Sequence, residues 1–351
     1  MRISQLVSNF YPTSHNFSKA INSHVASLAN GLIDKGHKVD LFAADQSETK
    51  ANLVSIAPPL STMHLPENLA RHYIMAHISN CYYFSEMNAD IVHSHFSLLS
   101  SFFSKISSIP TVISIHSPIT EDIKPLMNMY RQEKYVSFSL AQRKQMPELN
   151  WYANIYHGVD TNHFAFNEEG GKYLLYLGRL TEDKGVHLAI QTAKTVGLPL
   201  IIAGTSYPTE GYWQKEIEPH IDGINVKFIG EATFEGKVEL LQKAKATLFP
   251  TQVAEVFGYV MIESMSCGTP VIGFNNGSVP EIVKDGQTGF VVNDVDEMIE
   301  AVKKIDQIDR KKVRQRAELY FSVEKMVSGY EKVYKRILAD LEFQKNKKNG
   351  S

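Results

Sequence analysis

Short apolar runs recur along this chain with about one helix length between neighbours, and that rhythm restricts the fold more than any single residue does. In the first half the runs are Ile3–Val7, Lys38–Ala43, Ile91–His93, Thr111–Ile115 and Tyr135–Phe138. A helical pattern from Ala20 to Lys35, stopped by Gly36, separates the first two. A second series opens at Tyr173–Leu177 and continues through Leu200–Ala203, Val226–Ile229, Ala246–Phe249 and Val271–Phe274. Short runs alternating with helical stretches suit parallel strands buried on both faces. The expected fold is α/β, with two Rossmann-like, doubly wound domains, 1–156 and 172–322, facing a central cleft. Residues 157–171, HGVDTNHFAFNEEGG, lack periodic spacing and read as the linker. Apolar residues return to helical spacing from Val323 to Leu341, so a C-terminal helix, about 323–345, is expected to cross back and complete the first domain.

A length of 351 residues suits two domains, and 43% hydrophobic with 21% charged residues excludes a disordered or membrane-embedded chain. The net charge of -2 supplies no basic field, so no nucleic-acid partner is expected. Two cysteines, Cys81 and Cys267, make neither a disulfide framework nor a zinc-finger pattern. The N-terminal MRISQLVSNFYPTS lacks a sustained apolar core, and no run is long enough to span a bilayer. The expected location is the cytoplasm. Lys124, Arg131 and Lys134, interleaved with Leu126, Met127, Met129 and Tyr130, are the residues through which peripheral contact with the inner face of a membrane would run.

Several nucleotide and hydrolase motifs are missing. No glycine precedes Gly31, which excludes a GxGxxG turn after the first strand, and neither GxxxxGK[ST] nor GxSxG occurs. The informative segment is AEVFGYVMIESMSCGTPVIGF, residues 254–274. A helix starting near Gly258 and stopped at Gly268-Thr269-Pro270 leaves Glu255 in the preceding loop and Glu263 in the early turns. Unpaired N–H groups at that helix start suit an anion, and Gly258 lets a ligand approach the backbone. Glu255 beside an anion is better suited to accepting hydrogen bonds from hydroxyls. The loop Gly178–Gly185 brings Arg179 and Lys184 to the carboxyl end of another strand, a planar fork and a point charge that together suit a diphosphate. In the first half, His93, His95 and His116 end neighbouring strands. Three imidazoles satisfy a zinc count on paper, but no HExxH or cysteine partner accompanies them, so hydrogen bonding is expected and a metal is not. Asp294-Val295-Asp296 has DxD spacing but directly precedes a helical pattern, which makes it a cap.

The segments EVFGYVMIESMSCGTPVIGFNNGSVPEIVKDGQTGFVV, YLGRLTEDKG, IYHGVD and KATLFP resemble those of the family 4 retaining glycosyltransferases of GT-B fold. The resemblance spans nearly the whole chain and points to the small bacterial branch that includes the avilamycin-pathway transferase. It implies a nucleotide-sugar donor, a UDP-sugar first, a hydroxyl acceptor, and no metal or other cofactor. By the resemblance Arg179 and Lys184 bind the donor diphosphate, Glu263 holds the ribose hydroxyls, and Gly230 and Glu231 line the base pocket. Glu255, with the amides of Phe257 and Gly258, holds the sugar, while amides near Tyr259 and Val260 meet the phosphates. His116 corresponds to the family histidine near the reaction centre, and His95 belongs to the same substrate-binding set. The chain departs from the branch where a Gly-Gly pair opens the first helix: Lys19-Ala20 stands there, exchanging close backbone approach for a charge. A nucleotide-sugar epimerase of the same fold and an inactive sugar-nucleotide binding protein are the alternatives.

Overall fold

The computed structural model describes residues 1–14, 20–96, 98–205 and 211–349. The chain divides into two compact units, one comprising Met1–Gly158 with the chain from Val323 onward, the other Val159–Ser322.

The first unit holds a seven-stranded parallel sheet of β1 (Arg2–Leu6), β2 (Lys38–Phe42), β3 (Asn52–Val54), β4 (Ile91–Ser94), β5 (Thr111–Ser114), β6 (Lys134–Ser137) and β7 (Trp151–Asn154). Their order is β3-β2-β1-β4-β5-β6-β7. Both faces are covered, which explains the near-continuous apolar strands. Ile3, Val39 and Ile91 pack with Leu28 and Leu32 of the helix Ala20–Asp34, whereas Leu6, Phe42 and Val92 pack with Ile78 and Tyr82 of the helix Glu67–Asn88. The order reverses between β1 and β4, and at such a switch point a crevice opens beyond the carboxyl ends of the strands. His95 sits there, its amide donating to the Leu6 carbonyl at 2.9 Å.

The helix Val323–Asn349 belongs to this first unit, as its spacing implied. Met326, Val327, Tyr330, Tyr334 and Ile337 recur every three or four residues and are buried in the same cluster as Leu28 and Leu32. Each of these apolar side chains contributes on the order of 1.5–3 kcal/mol by burial.

The second unit is a six-stranded parallel sheet of β8 (Tyr173–Leu177), β9 (Leu200–Ala203), β10 (Val226–Phe228), β11 (Ala244–Phe249), β12 (Val271–Phe274) and β13 (Gly289–Val292), in the order β10-β9-β8-β11-β12-β13. Three strands had no counterpart in the sequence reading: β3, β7 and β13. All three are edge strands of three or four residues, a length at which even an apolar run such as Phe290–Val292 shows too little period to be told from a loop or a helix end.

The stretch 157–171 contains the boundary between the two units, after Gly158. His157 and Gly158 lie in the first unit and the rest in the second. Phe164 is buried, its carbonyl accepts from Arg314 at 2.7 Å, and that of Asn167 accepts from Arg310 at 2.7 Å. The missing periodicity reflects a 3-10 turn at Thr161–His163 and side-chain anchoring rather than freedom. The basic and apolar residues between Lys124 and Lys134 likewise do not form one amphipathic helix. Only Lys124–Asn128 is helical, and its Met127 is buried in the core of the first unit. Among the described residues, no helix is long and apolar enough to cross a membrane.

Candidate active site

The helix Tyr259–Ser266 starts where its sequence placed it, directly after Gly258. Gly258 has φ +83, and a Cβ there would lie 2.7 Å from the Met261 methyl and 3.0 Å from the Phe249 ring, so the turn requires glycine twice over. The Glu255 loop is clamped from β12 onward. The Ser278 amide donates to the Glu255 carbonyl at 3.0 Å, and the Ser278 hydroxyl donates to that of Phe257 at 2.7 Å. Gly277, at φ +56, makes this approach possible, because a Cβ would fall 2.2 Å from the Glu255 carbonyl oxygen. Gly277→Ala is therefore expected to destabilise the second unit by about 1–3 kcal/mol. Urea unfolding followed at Trp213, which lies in that unit, measures it.

Lys184 closes a 3-10 turn, Glu182–Lys184, at the carboxyl end of β8. Its Nζ lies 2.6 Å from Glu255 Oε2, with the two side chains 18% and 17% exposed. Lys184 thereby offsets the Glu255 charge just ahead of the helix start. Gln252 joins the two loops, its amide donating to the Asp183 carbonyl at 2.8 Å and its side chain to that of Glu182 at 2.7 Å. Arg179 is exposed on the same β8 loop, while its carbonyl accepts from the Tyr176 hydroxyl at 2.8 Å. Burial pushes the Tyr176 phenol far above its ordinary range, so it remains a donor there.

Glu263, buried to 8% exposure, is also paired. Its partner is Lys237 at 2.5 Å, from the helix Phe234–Lys243, and the Lys237 ammonium also sits 5.3 Å from the centre of the Phe234 ring. Sequence reasoning missed Lys237, since no helical or strand period connects residues 26 apart. It also missed the hydroxyls of Thr181 and Thr251, which are buried beside these loops and have no hydrogen-bond partner among the described residues. Gly230, at φ +74, and the exposed Glu231 follow β10. They lie on the same carboxyl edge of the sheet as Arg179, but two strands from β8, on the order of 10 Å away. Phe257 is buried and Tyr259 and Val260 are half-buried. Asp294 caps the helix Val295–Lys304, accepting from the Glu297 amide at 2.9 Å, as its position implied.

In the first unit the structure brings His95 and His116 together, with His95 Nδ1 2.8 Å from His116 Nε2. His93 points elsewhere, bonding the Tyr334 hydroxyl at 2.7 Å and Ser114 at 2.8 Å. Two histidines that the spacing did not reveal complete the cluster. His24, from the helix Ala20–Asp34, and His157, after β7, meet at 2.8 Å through their Nδ1 atoms. Burial holds all five imidazoles below their ordinary range, His116 down to about 3. Lys19 lies outside the described residues, and the helix is described from Ala20 onward.

Two doubly wound units, one of which gathers cations, carboxylates and a helix N-terminus at the carboxyl edge of its sheet, are an arrangement physically suited to phosphorylated ligands. The family model for glycosyl transferases group 1 matches residues 159–320, and that for glycosyltransferase family 4 matches residues 21–163. The chain belongs to these group 1, family 4 glycosyltransferases and has their GT-B fold. An uncharacterized glycosyltransferase of Methanocaldococcus jannaschii is 25% identical over 93% of this chain and 96% of its own. The O-antigen chain mannosyltransferase C of Escherichia coli is 23% identical over 96% and 99%. Among solved structures, AviGT4 of avilamycin A biosynthesis superposes with a TM-score of 0.71 at 21% identity, over 96% of this chain and 98% of that one. HepE of Anabaena, solved with UDP and glucose, gives 0.71 at 17% identity, over 97% and 99%.

Proposed function

We propose that the protein transfers a sugar from a nucleotide donor, a UDP-sugar first, to a hydroxyl acceptor with retention at the anomeric carbon. The observation that carries this reading is the Lys184–Glu255 ion pair immediately ahead of the Gly258 helix start. A cation suited to phosphate and an acceptor suited to sugar hydroxyls thus stand side by side. Lys184 and Arg179 hold the diphosphate with the amides of Tyr259 and Val260. Glu255 and the backbone of Phe257 and Gly258 hold the sugar. Glu263, oriented by Lys237, takes the ribose hydroxyls, and Gly230-Glu231 border the base. Thr181 and Thr251 supply two further hydroxyls that find no hydrogen-bond partner among the described residues.

In the reaction the bond from the anomeric carbon to the leaving phosphate oxygen breaks, and the acceptor oxygen attacks on the same face. The departing phosphate takes the acceptor proton, so no side-chain nucleophile is needed. Charge on the leaving diphosphate is met by Lys184, Arg179 and the helix start, the electrostatic help that fixed donors provide best. By the family resemblance His116 corresponds to the histidine near the reaction centre, and Lys19, which lies outside the described residues, replaces a glycine of the branch. The UDP preference is supported by the UDP and glucose bound to HepE. The mannosyltransferase relative makes GDP-sugars the second group to assay.

Calorimetry against UDP, GDP and their sugars, with and without chelator, tests the proposal. One nucleotide family is expected to bind in chelator, at least tenfold more weakly in Glu263→Ala. Binding of none would sink the reading. Interconversion of the donor without acceptor would select the epimerase alternative, and binding without turnover the inactive one.

A further inference from the structure

We infer that His24, His95 and His116 form a binding site for a late first-row divalent cation of the Zn²⁺ class, inside the first unit. The inference stands on geometry and does not depend on sugar transfer. One ring nitrogen from each of the three lies within 4.8 Å of the others. The sequence argued against a metal because His93, His95 and His116 came without a supporting motif, and the structure changes the set: His93 is turned to Tyr334 and Ser114, and His24 takes its place.

The hydrogen bonds around the cluster prepare it. Gln5 donates from its amide nitrogen to the Tyr334 hydroxyl at 3.0 Å, and its amide oxygen accepts from His95 Nε2 at 3.0 Å. That leaves His95 Nδ1 with a bare lone pair, directed at His116. A ligating imidazole characteristically has its second nitrogen fixed by a carbonyl or carboxylate in this way. His24 spends Nδ1 on His157, and its Nε2 is buried with no hydrogen-bond partner among the described residues. An imidazole nitrogen left unsatisfied in a dry interior is costly unless something fills the position.

Three imidazoles around Zn²⁺ at about 2.0–2.1 Å stand about 3.3–3.4 Å apart in a tetrahedral site. Loading therefore widens the 2.8 Å His95–His116 contact slightly and draws the most distant pair inward by up to about 1.5 Å, within reach of ring rotations. His116 must pass its Nε2 proton to Nδ1 or release it. His116 is also the partly exposed member, so a fourth position opens toward solvent for water or an anion. Imidazole ligands without thiolate or carboxylate favour Zn²⁺, Cu²⁺ or Ni²⁺ over Mg²⁺ or Ca²⁺.

The test uses the untagged full chain, stripped with chelator and dialysed, titrated with Zn²⁺ in a calorimeter and with Co²⁺ by visible absorption. The expected result is one equivalent bound, the intense bands of four-coordinate cobalt, and X-ray absorption from three imidazole nitrogens. Affinity is expected to fall at least tenfold in His24→Gln and in His95→Asn, and to be unchanged in the surface control His220→Gln. Absence of stoichiometric binding to the native chain overturns the inference, as does undiminished binding in His24→Gln. If those variants fail to fold, the spectrum of the native chain decides, and fewer than three imidazoles about the metal overturns it.

Discussion

Lys184→Ala is expected to lower the sugar-transfer rate by on the order of 100- to 1000-fold, the scale on which removal of one fixed charge-stabilising group acts. The same substitution leaves Glu255 as a carboxylate without its partner in a site where each side chain is less than one-fifth exposed. Breaking a buried pair costs about 3–5 kcal/mol, and the residual water access here reduces that to about 1–3 kcal/mol. Removing both partners, in Lys184→Ala with Glu255→Ala, relieves the stranded charge. Stability should therefore recover toward that of the native protein while activity does not. A purely structural pair would show the opposite coupling, with activity following stability. Initial rates and urea midpoints on the two single variants and the double variant separate these cases. Native turnover in both single variants would end the assignment of chemistry to this pair.

Acidification is expected to unfold the first unit well before the second when metal is held away by chelator. The reason is the buried imidazoles. His24, His93, His95, His116 and His157 are all held below their ordinary proton affinity by burial, and His77, whose Nε2 bonds the Val7 carbonyl at 2.9 Å, is too. A ring that is neutral when folded and protonated when unfolded takes up a proton on unfolding. Stability is then complete above the unfolded value, about 6.5, and falls as pH drops below it. Each ring contributes about 1.4 kcal/mol per pH unit in that window, so even two of them remove about 3 kcal/mol per unit. Against a domain stability of about 5–15 kcal/mol, a fall from pH 6.5 to 5 is decisive.

The two tryptophans report the units separately, Trp151 in the first and Trp213 in the second. Single-tryptophan variants melted at pH 7.5 and 5.5 should show a large downward shift for Trp151 and a small one for Trp213. Equal shifts would place the acid sensitivity outside the cluster, and no shift would remove its energetic basis. Groups around the rings include the Gln5 amide and the hydroxyls of Ser114, Tyr330 and Tyr334, all neutral in this range. Burial pushes both tyrosines upward, which keeps their hydroxyls as donors.

Sequence alone determined the elements that are buried on both sides or stopped by a local signal. Central strands such as Tyr173–Leu177 are apolar because helices cover both faces of their sheet. The start at Gly258 and the stop near Gly268 mark one helix because the backbone there adopts conformations that favour glycine. The two glutamates flanking that helix start were legible for the same reason: their distance from it is set by local chain geometry. Tertiary structure decided the rest. Lys237 meets Glu263, Gly277 presses on Glu255, and Gln252 bonds to the 182–184 turn across separations that no helical or strand period encodes. His24 and His157 stand 133 residues apart and meet because the parallel sheet delivers the ends of β4, β5 and β7 to one edge and the helix Ala20–Asp34 packs alongside. Local spacing shows which face of an element a side chain occupies, but only the order of the strands determines which other side chains wait there.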